Sequence, residues 1–257
     1  MIRLRVRGLA AILLALLTVA APRAWAQMVG ATGQPLVADL SAHEISITAG
    51  FEGTELLLFG ATEGEGDVVV VVRGPAATTT VRRKSRVLGI WINTASMRFD
   101  EVPSFYRIAS SRPLDQITTQ GMRQRLQIGI ESVRAVPDKT AAPEEVAAFR
   151  DGLTRARLKA DLWQDMPTPV TFLGPKLFRT RISFPPNVPT GIYNVEVFLV
   201  KDGREIGAQT APMRVKKTGI GARIYELAHR HAALYGLAAV AIAVLAGWAA
   251  SAAFRRA

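Results

Sequence analysis

The chain of 257 residues contains no cysteine. This absence excludes catalysis by a thiol, metal sites built on thiolates, haem attachment through a CxxCH motif, and disulfide bonds. An exported domain of this composition must be stable through its hydrophobic core alone. Roughly 190 residues lie between the two apolar terminal segments, which is enough for one sizeable domain or two small ones.

Histidine is almost as scarce, with three residues. A histidine-based triad would have to centre on His43, and no G-x-S-x-G motif accompanies a serine. His229 and His231 lie two residues apart, where a helix would point them to different faces, so we expect no shared metal. Acid–base chemistry by a carboxylate pair stays open, but no pair is indicated. We therefore expect no enzymatic activity, no catalytic residue, no cofactor and no metal site.

The N-terminus has the three parts of a secretory signal. Three arginines within the first seven residues precede the apolar run Leu9–Ala21, which is too short to span a bilayer. Ala24-Trp25-Ala26 supplies small residues at the two positions that a signal peptidase reads. The pattern predicts a signal peptide at residues 1–26 and a leader at 27–35; an uncleaved anchor is the alternative.

The C-terminal segment Ala232–Phe254 carries no charge. At about 1.5 Å rise per residue, a helix of this length crosses a hydrocarbon core of roughly 30 Å. Tyr235 and Trp248 lie toward its ends, where interfacial aromatic side chains are common. We predict a transmembrane helix between a juxtamembrane segment at 218–231 and a stub at 255–257. A buried core helix is the alternative, but such a helix usually has a polar face.

A signal peptide followed by a stop-transfer helix predicts a single-pass protein of the bacterial inner membrane, with a periplasmic domain and a cytoplasmic C-terminus. The local count of positive charges before the span favours the reverse orientation, but translocation is committed before the span emerges. The formal charge of +11 falls to +5 once the six arginines of the signal and stub are set aside. That charge suits an anionic membrane surface, and we expect no nucleic-acid partner.

Residues 36–112 and 165–217 have the pattern of β-strands. In "EISIT", Ile45 and Ile47 share one face, whereas "TELLLFGA" and "DVVVVVRG" are apolar on both faces and indicate interior strands. "LGIWIN" and "SFYRIASS" are further β-rich runs, and "TASMRFDEVP" is interpreted as the link between them. Short strands with frequent turns predict a mainly β fold, an immunoglobulin-like β-sandwich of one or two modules.

Residues 113–164, between the two β regions, are predicted to form a helical insertion of two helices. The first has apolar residues at roughly helical spacing from Leu114 to Val133, although Gly121 and Gly129 weaken the pattern. The second begins at Pro143. Its apolar face consists of Val146, Phe149, Leu153, Ala160 and Trp163.

The glycine-bearing stretch "AGFEGTE", residues 49–55, has apolar runs on both sides. A phosphate-binding loop of the Walker type needs a lysine after the glycines and a helix beyond it. Here Gly53 is followed by Thr54 and Glu55, and the next segment has the pattern of a strand. The stretch is therefore predicted to be a hairpin, with Gly50 and Gly53 in the turn.

The basic run "RRKSR" places four positive charges close together, at Arg82, Arg83, Lys84 and Arg86. These side chains are candidates for contact with an anion or an acidic partner. The alternative is a solvated strand edge, since lysine and arginine also discourage edge-to-edge pairing of strands.

Small residues recur every four positions within the predicted span, at Ala239, Ala243, Gly247 and Ser251. Such a stripe lets another helix approach closely, which makes these residues candidates for helix packing with a membrane-protein partner. The alternative is that the four-residue spacing has no significance, because alanine occurs throughout the segment.

The blocks "DLSAHEISITAGFEGTELLLFGA", "GIWIN" and "PPNVPTGIYNVEVFLV" resemble a family of uncharacterised transmembrane proteins from alphaproteobacteria. The resemblance implies the same order of segments and supplies no catalytic residue. As a partner it implies a sulfite-exporter-like permease. We expect a non-enzymatic accessory or interaction module for another membrane protein. The alternative is a membrane-tethered periplasmic binder of a small anion or envelope polymer, which would use the basic run with Arg179 or Arg181.

Overall fold

The computed structural model describes residues 35–219, 225 and 228–255, so the predicted signal peptide and its cleavage site lie outside the described residues. The strands in this part of the chain are β1 Leu36–Leu40, β2 Glu44–Ile47, β3 Thr54–Thr62, β4 Asp67–Arg73, β5 Ala76–Val87, β6 Ile90–Pro103, β7 Tyr106–Ser110, β8 Val136–Pro137, β9 Thr168–Pro169, β10 Thr171–Phe172, β11 Leu177–Phe184, β12 Gly191–Lys201 and β13 Arg204–Lys217. The helices are α1 Leu114–Ile117, α2 Gln120–Leu126, the 3-10 helix Ile130–Ser132, α3 Pro143–Lys159 and α4 Ala232–Phe254. The predicted mainly β class is confirmed.

Two larger sheets form the body of the β domain. The four-stranded sheet has the order β1-β3-β11-β10, and the six-stranded sheet has the order β2-β13-β12-β4-β7-β9. β3 pairs with β11, and β4 pairs with β12. Strands from before and after the helical insertion therefore complete the same sheets, and the two β regions form one domain.

The inner faces of the two sheets meet in an apolar core. The rings of Phe184 on β11 and Tyr193 on β12 have centroids 6.1 Å apart, and Phe105 stacks on Phe184 at 5.0 Å. All five valines of β4, residues 68–72, are buried. An interior strand was predicted from "DVVVVVRG", and its burial on both faces confirms the prediction. The same prediction for "TELLLFGA" was wrong, because β3 buries Leu58 on one face and leaves Phe59 exposed on the other.

The helical insertion differs from the predicted pair of helices. α2 ends at Leu126; the next residue, Gln127, has a left-handed φ of 52°, and Gly129 has a φ of 92°. These two residues break the first predicted helix, because a right-handed helix cannot continue through positive φ. α3 begins at Pro143, as predicted, and buries Phe149 and Leu153. It ends at Lys159, so the placement of Ala160 and Trp163 on its apolar face was wrong.

β5 and β6 form a long antiparallel hairpin, to which β8 adds a short third strand. "TASMRFDEVP" lies within β6 and is not a link between two strands, so that prediction was wrong. Its alternation is the cause of the difference: Met97 and Phe99 are buried, whereas Arg98 is exposed. This is the period of a strand with one covered face.

The predicted hairpin at "AGFEGTE" was also wrong. β2 pairs in parallel with β13 in the six-stranded sheet, whereas β3 pairs with β1 and β11 in the four-stranded sheet. The stretch therefore crosses from one sheet to the other. Gly53 has a φ of 105°, and a Cβ there would lie 2.7 Å from the carbonyl oxygen of Phe184, so this position requires glycine.

α4 matches the predicted span in its bounds. Residues Ala232–Ser251 form one candidate membrane span with a mean hydropathy of 2.0, and none of that segment is buried against the described residues. A core helix of a soluble domain would be covered by protein. Its exposure agrees with a helix whose apolar surface is covered by lipid or by a partner helix.

Candidate functional site

The most distinctive feature of the β domain is a ribbon, residues 76–103, formed by β5 and β6. It continues the pairing of β4 with β7 without a break. After the pair of Arg73 with Tyr106, Gly74 N–H donates to the carbonyl oxygen of Phe105 at 2.9 Å. Ser104 N–H then donates to Pro75 at 3.0 Å, and the ladder runs on to the last pair, Val87 with Ile90.

The proximal half of the ribbon, which is the part nearest β4 and β7, is anchored against α3. Nη2 of Arg157 donates to Oγ1 of Thr79 at 2.9 Å, and burial of this guanidinium lowers the pKa of Arg157. The guanidinium of Arg83 lies 4.8 Å from the centroid of the Phe149 ring. Val81 packs beside Gly152, where a Cβ would come within 3.5 Å. These contacts fix the base of the ribbon to the rest of the domain.

A basic cleft lies between β5 and α3, with a cavity volume of about 240 Å³. The structure brings three of the four predicted basic residues to this cleft and adds a fourth arginine from α3. Its basic lining residues are Arg82, Arg83, Lys84 and Arg155. The remaining predicted residue, Arg86, lies nearer the end of the ribbon, where its Nε donates to the carbonyl oxygen of Gly89 at 3.3 Å.

The ribbon tip, residues 84–92, leaves large apolar side chains in solvent. Leu88 is 99% exposed, Ile90 68% and Trp91 65%. The turn has positive φ at both central residues, 50° at Leu88 and 87° at Gly89. A two-residue hairpin turn of this kind favours asparagine at its first position, where a bulky side chain is unusual.

The two faces of the ribbon tip differ in chemistry. Directly paired residues share a face, so Arg86 lies beside Trp91, and Lys84 beside Asn93. The opposite face carries Val87 with Ile90, and Ser85 with Ile92. Residues 80–97 include four basic side chains and no acidic one. The tip is therefore basic and aromatic on one face and mainly aliphatic on the other.

Sequence reasoning found the basic run but missed the apolar tip beside it. "LGIWIN" was interpreted as an ordinary strand, because isoleucine and tryptophan are common in strands. The available signal was the dipeptide Leu88-Gly89 between two runs of strand pattern, which marks a two-residue turn with a bulky residue at its apex. That signal gives a turn but cannot show that both faces beyond it are uncovered.

A second exposed surface lies on the outer face of the four-stranded sheet. Val37, Ala61 and Leu177 are direct neighbours across β1, β3 and β11, and in the next row Phe59 lies between Asp39 and Arg179. Val37, Phe59 and Leu177 are exposed large apolar side chains. The first of the two arginines proposed for the anion-binding alternative, Arg179, therefore borders an apolar row and lies outside the basic cleft.

The candidate helix-packing residues all lie in α4. Ala239, Ala243, Gly247 and Ser251 are exposed at four-residue intervals. A Cβ at Gly247 would meet no atom within 4 Å, so this surface is open in the described chain.

Two polar anchors hold the helical insertion onto β7. The Tyr106 hydroxyl donates to the carbonyl oxygen of Gln127 at 2.9 Å and accepts from the N–H of Gly129 at 2.8 Å. Burial raises the pKa of Tyr106 to about 12. Arg107, which is buried, donates to the backbone carbonyl and the carboxylate of Asp161 at 2.8 and 2.9 Å. The geometry of these groups fits a structural role.

His43, the residue on which a histidine-based triad would have to centre, is a surface residue. Nε2 of His43 lies 2.9 Å from Oδ1 of Asp39, and both side chains are more than half exposed. Among the described residues, no group of three or more histidine, aspartate or glutamate side chains is arranged to hold a metal ion.

The sequence model of one family matches residues 35–256, and its description reads "Putative transmembrane protein (Alph_Pro_TM)". A search of curated proteins gave no match. The matched region begins beside β1 and includes both sheets, the ribbon, the helical insertion and α4. The family resemblance predicted from the three sequence blocks is confirmed. The chain belongs to this family of transmembrane proteins and carries one candidate span at its C-terminal end.

Proposed function

We propose that this chain is a non-enzymatic accessory module that binds another membrane protein of the inner membrane, with its β domain in the periplasm. A sulfite-exporter-like permease is the partner class that the family resemblance suggests. The observation that carries the proposal is the row of exposed apolar side chains on the outer face of the four-stranded sheet. Val37 and Leu177 lie on either side of Ala61, and Phe59 lies in the next row of the same face; clustered exposed apolar groups on a folded surface mark interaction sites.

The immunoglobulin-like class is part of the proposal. The Tyr193 hydroxyl, near the start of β12, donates to the carbonyl oxygen of Pro189 at 2.5 Å. A tyrosine that bonds back to the chain a few residues upstream is a feature of immunoglobulin-like sandwiches.

The orientation rests on the signal-like N-terminus and can be tested separately. An alkaline phosphatase fusion after Ala257 will be inactive if the C-terminus is cytoplasmic, because the enzyme needs the oxidising periplasm to form its disulfides. An active fusion would reverse the topology and place the β domain in the cytoplasm.

Purification from native membranes tests the partner. The unaltered chain should retain a membrane protein, and the double variant Phe59→Glu/Leu177→Glu should lose it, because two carboxylates would be buried at the interface. Ile206→Glu is the matched control, since Ile206 on β13 has the same 43% exposure as Phe59. The same partner in all three samples, or none in any, would contradict the proposal.

The contribution of α4 needs its own variant. Ala243→Leu/Gly247→Leu fills the small-residue stripe and should weaken retention of the same partner by preventing close helix approach. Ala241→Leu/Leu245→Ala changes other positions of the helix and should leave retention unchanged. Equal retention by the two double variants would remove α4 from the interface.

A second candidate function is binding of a small anion or envelope polymer, and the basic cleft favours it. Arg83 and Arg155 line the cleft beside the Phe149 ring, so an anion there would meet guanidinium groups next to an apolar wall. Oxyanions and glycans should raise the melting temperature of the full chain in detergent. The shift should disappear in Arg83→Gln/Arg155→Gln. The absence of a shift with every compound would reject this alternative.

A further inference from the structure

We propose that the ribbon tip, residues 84–92, docks into the headgroup region of the anionic lipid bilayer that holds α4. The occupant of this surface is the membrane itself. The inference requires insertion of α4 but no protein partner, so it stands or falls separately from the accessory role.

The direction of the ribbon is the first argument. β4 and β13 both pair antiparallel with β12, so β4 and β13 run in the same direction. The ribbon continues from the C-terminal end of β4, and the chain leaves for α4 from the C-terminal end of β13. The ribbon and the segment that leads to the membrane therefore leave the same end of the six-stranded sheet.

The lengths agree with contact at the membrane surface. Asn194 on β12 pairs with Arg73 on one side and with Pro212 on the other, so Arg73 and Pro212 lie at the same height in the sheet. β13 continues beyond Pro212 to Lys217, and its end therefore lies at about the height of the third residue of β5. From there to Leu88 the ribbon reaches at most about 33 Å. The fourteen residues 218–231 cover about 21 Å as a helix and about 46 Å when fully extended. The reach of the tip falls within this interval.

The positive charge of the tip and of the two arginines that precede it is complementary to an anionic surface. Arg82, Arg83, Lys84 and Arg86 are exposed, and no acidic residue occurs between residues 80 and 97. Each lysine or arginine near a membrane containing anionic lipid strengthens binding several-fold, and the gain is lost at high salt. An acidic ribbon of the same shape would be repelled by anionic lipid, and a neutral one would gain no electrostatic attraction.

The apolar side chains of the tip supply the second component of membrane binding. Trp91 lies directly opposite Arg86, which places an indole beside a cation, the combination that is common at membrane–water interfaces. Leu88 at the apex is nearly completely exposed and has a φ at which asparagine is preferred. Neither its exposure nor its backbone conformation favours folding, whereas insertion among lipid headgroups buries its side chain.

The lack of cysteine allows a direct test in the full chain. Val87→Cys labelled with a small fluorophore reports on the tip and keeps Leu88 and Trp91. Glu65→Cys is the matched control, because Glu65 is exposed in the loop before β4, at the opposite end of the same strand. Each labelled chain is reconstituted in nanodiscs that contain a lipid-borne nitroxide quencher. One set contains phosphatidylglycerol with phosphatidylethanolamine, and the other contains phosphatidylcholine alone.

The expected result is at least threefold stronger quenching at residue 87 than at residue 65 in the anionic nanodiscs, and a smaller ratio in phosphatidylcholine. Replacing Arg82, Arg83, Lys84 and Arg86 by glutamine should bring the ratio in anionic lipid close to one. The double variant Leu88→Asn/Trp91→Thr should do the same while the circular dichroism spectrum stays unchanged. Because Arg83 also contacts the Phe149 ring, the circular dichroism spectrum and the unfolding midpoint are measured for both variants, and they should match those of the unaltered chain.

Three results would overturn the inference. The first is equal quenching at residues 87 and 65 in anionic nanodiscs. The second is a tip label that stays in water in nanodiscs but becomes protected in native membranes, which would assign the surface to a protein. The third is quenching that persists in the four-glutamine variant, which would show that the basic side chains do not contribute to docking.

Discussion

The proximal and distal halves of one ribbon use similar residues for different purposes. In the proximal half, Met97 and Phe99 are buried under the helical insertion and stabilise the fold. In the distal half, Ile90 and Trp91 continue the same ladder but remain in solvent. Their apolar area gives the isolated chain no comparable stabilisation, and this contrast is the reason that we propose contact of the tip with the membrane.

The largest difference between the halves should appear in stability. Phe99→Ala should lower the free energy of unfolding by about 3–5 kcal/mol, because it leaves a cavity in a closed core. Trp91→Ala should change it by less than about 0.5 kcal/mol, because the side chain is exposed. Denaturant unfolding of the full chain in detergent measures both. A large loss of stability in Trp91→Ala would place the distal half in the folding core and contradict the division.

The anchor beneath the ribbon should have an intermediate effect. Tyr106→Phe removes the hydroxyl that bonds Gln127 and Gly129, and should cost about 1–3 kcal/mol because buried backbone groups lose their partner. Tyr225→Phe is a suitable control, since Tyr225 is exposed. Equal unfolding midpoints for the two variants would show that the Tyr106 hydroxyl contributes nothing.

Substitution at the apex of the ribbon should not lower the stability of the fold. Leu88→Asn should leave stability unchanged or raise it by up to about 1 kcal/mol, because asparagine tolerates left-handed φ better than leucine. It should weaken docking of the tip at the same time. Thermal unfolding and nanodisc quenching of the same sample check the two effects, and a clear loss of stability would show that Leu88 serves folding.

The smallest effect concerns the other end of β4. The guanidinium of Arg112, followed by the hydroxyl of Ser111, lowers the pKa of Asp67, although burial acts against the shift. A lowered pKa in the folded state stabilises the fold above the unfolded value of about 3.9, and this contribution is lost as the pH falls through the folded pKa. Asp67→Asn should therefore be slightly less stable than the unaltered chain at pH 7.

The interaction of Asp67 with Arg112 can be tested by the way in which the stability difference changes with pH. The stability difference between Asp67→Asn and the unaltered chain should be smaller at pH 2 than at pH 7, because the stabilisation of the Asp67 carboxylate is lost as the pH falls through its folded pKa. The effect stays small because Arg112 is exposed and water screens the pair. Unfolding curves at the two pH values measure it, and a difference that grows toward pH 2 would contradict the assignment.

The sequence was most informative where local pattern decides the structure. The five valines of β4 gave an interior strand, and Pro143 gave the start of α3, because burial on both faces and helix entry leave marks within a few residues. The bounds of α4 followed from its uninterrupted apolar composition. The basic run was visible for the same reason.

What the sequence could not give depended on residues far apart in the chain. "AGFEGTE" has the local pattern of a hairpin, but β2 pairs with β13, and that partner lies more than 150 residues away. The cleft likewise needs Arg155 of α3 beside Arg83 of β5. The ribbon extends beyond the point where β12 begins, at Gly191 beside Pro75, so β12 does not pair with it. Periodicity within the ribbon cannot show that its tip is therefore exposed.

The most direct test of the division between a folding half and a docking half is the depth of a single label in anionic nanodiscs. A spin label at residue 87 of the full chain should be accessible to oxygen dissolved in the bilayer and shielded from a water-soluble relaxing agent. A label at residue 65 should show the reverse. If both positions give the same aqueous accessibility, the ribbon tip is free of the membrane and the central claim is wrong.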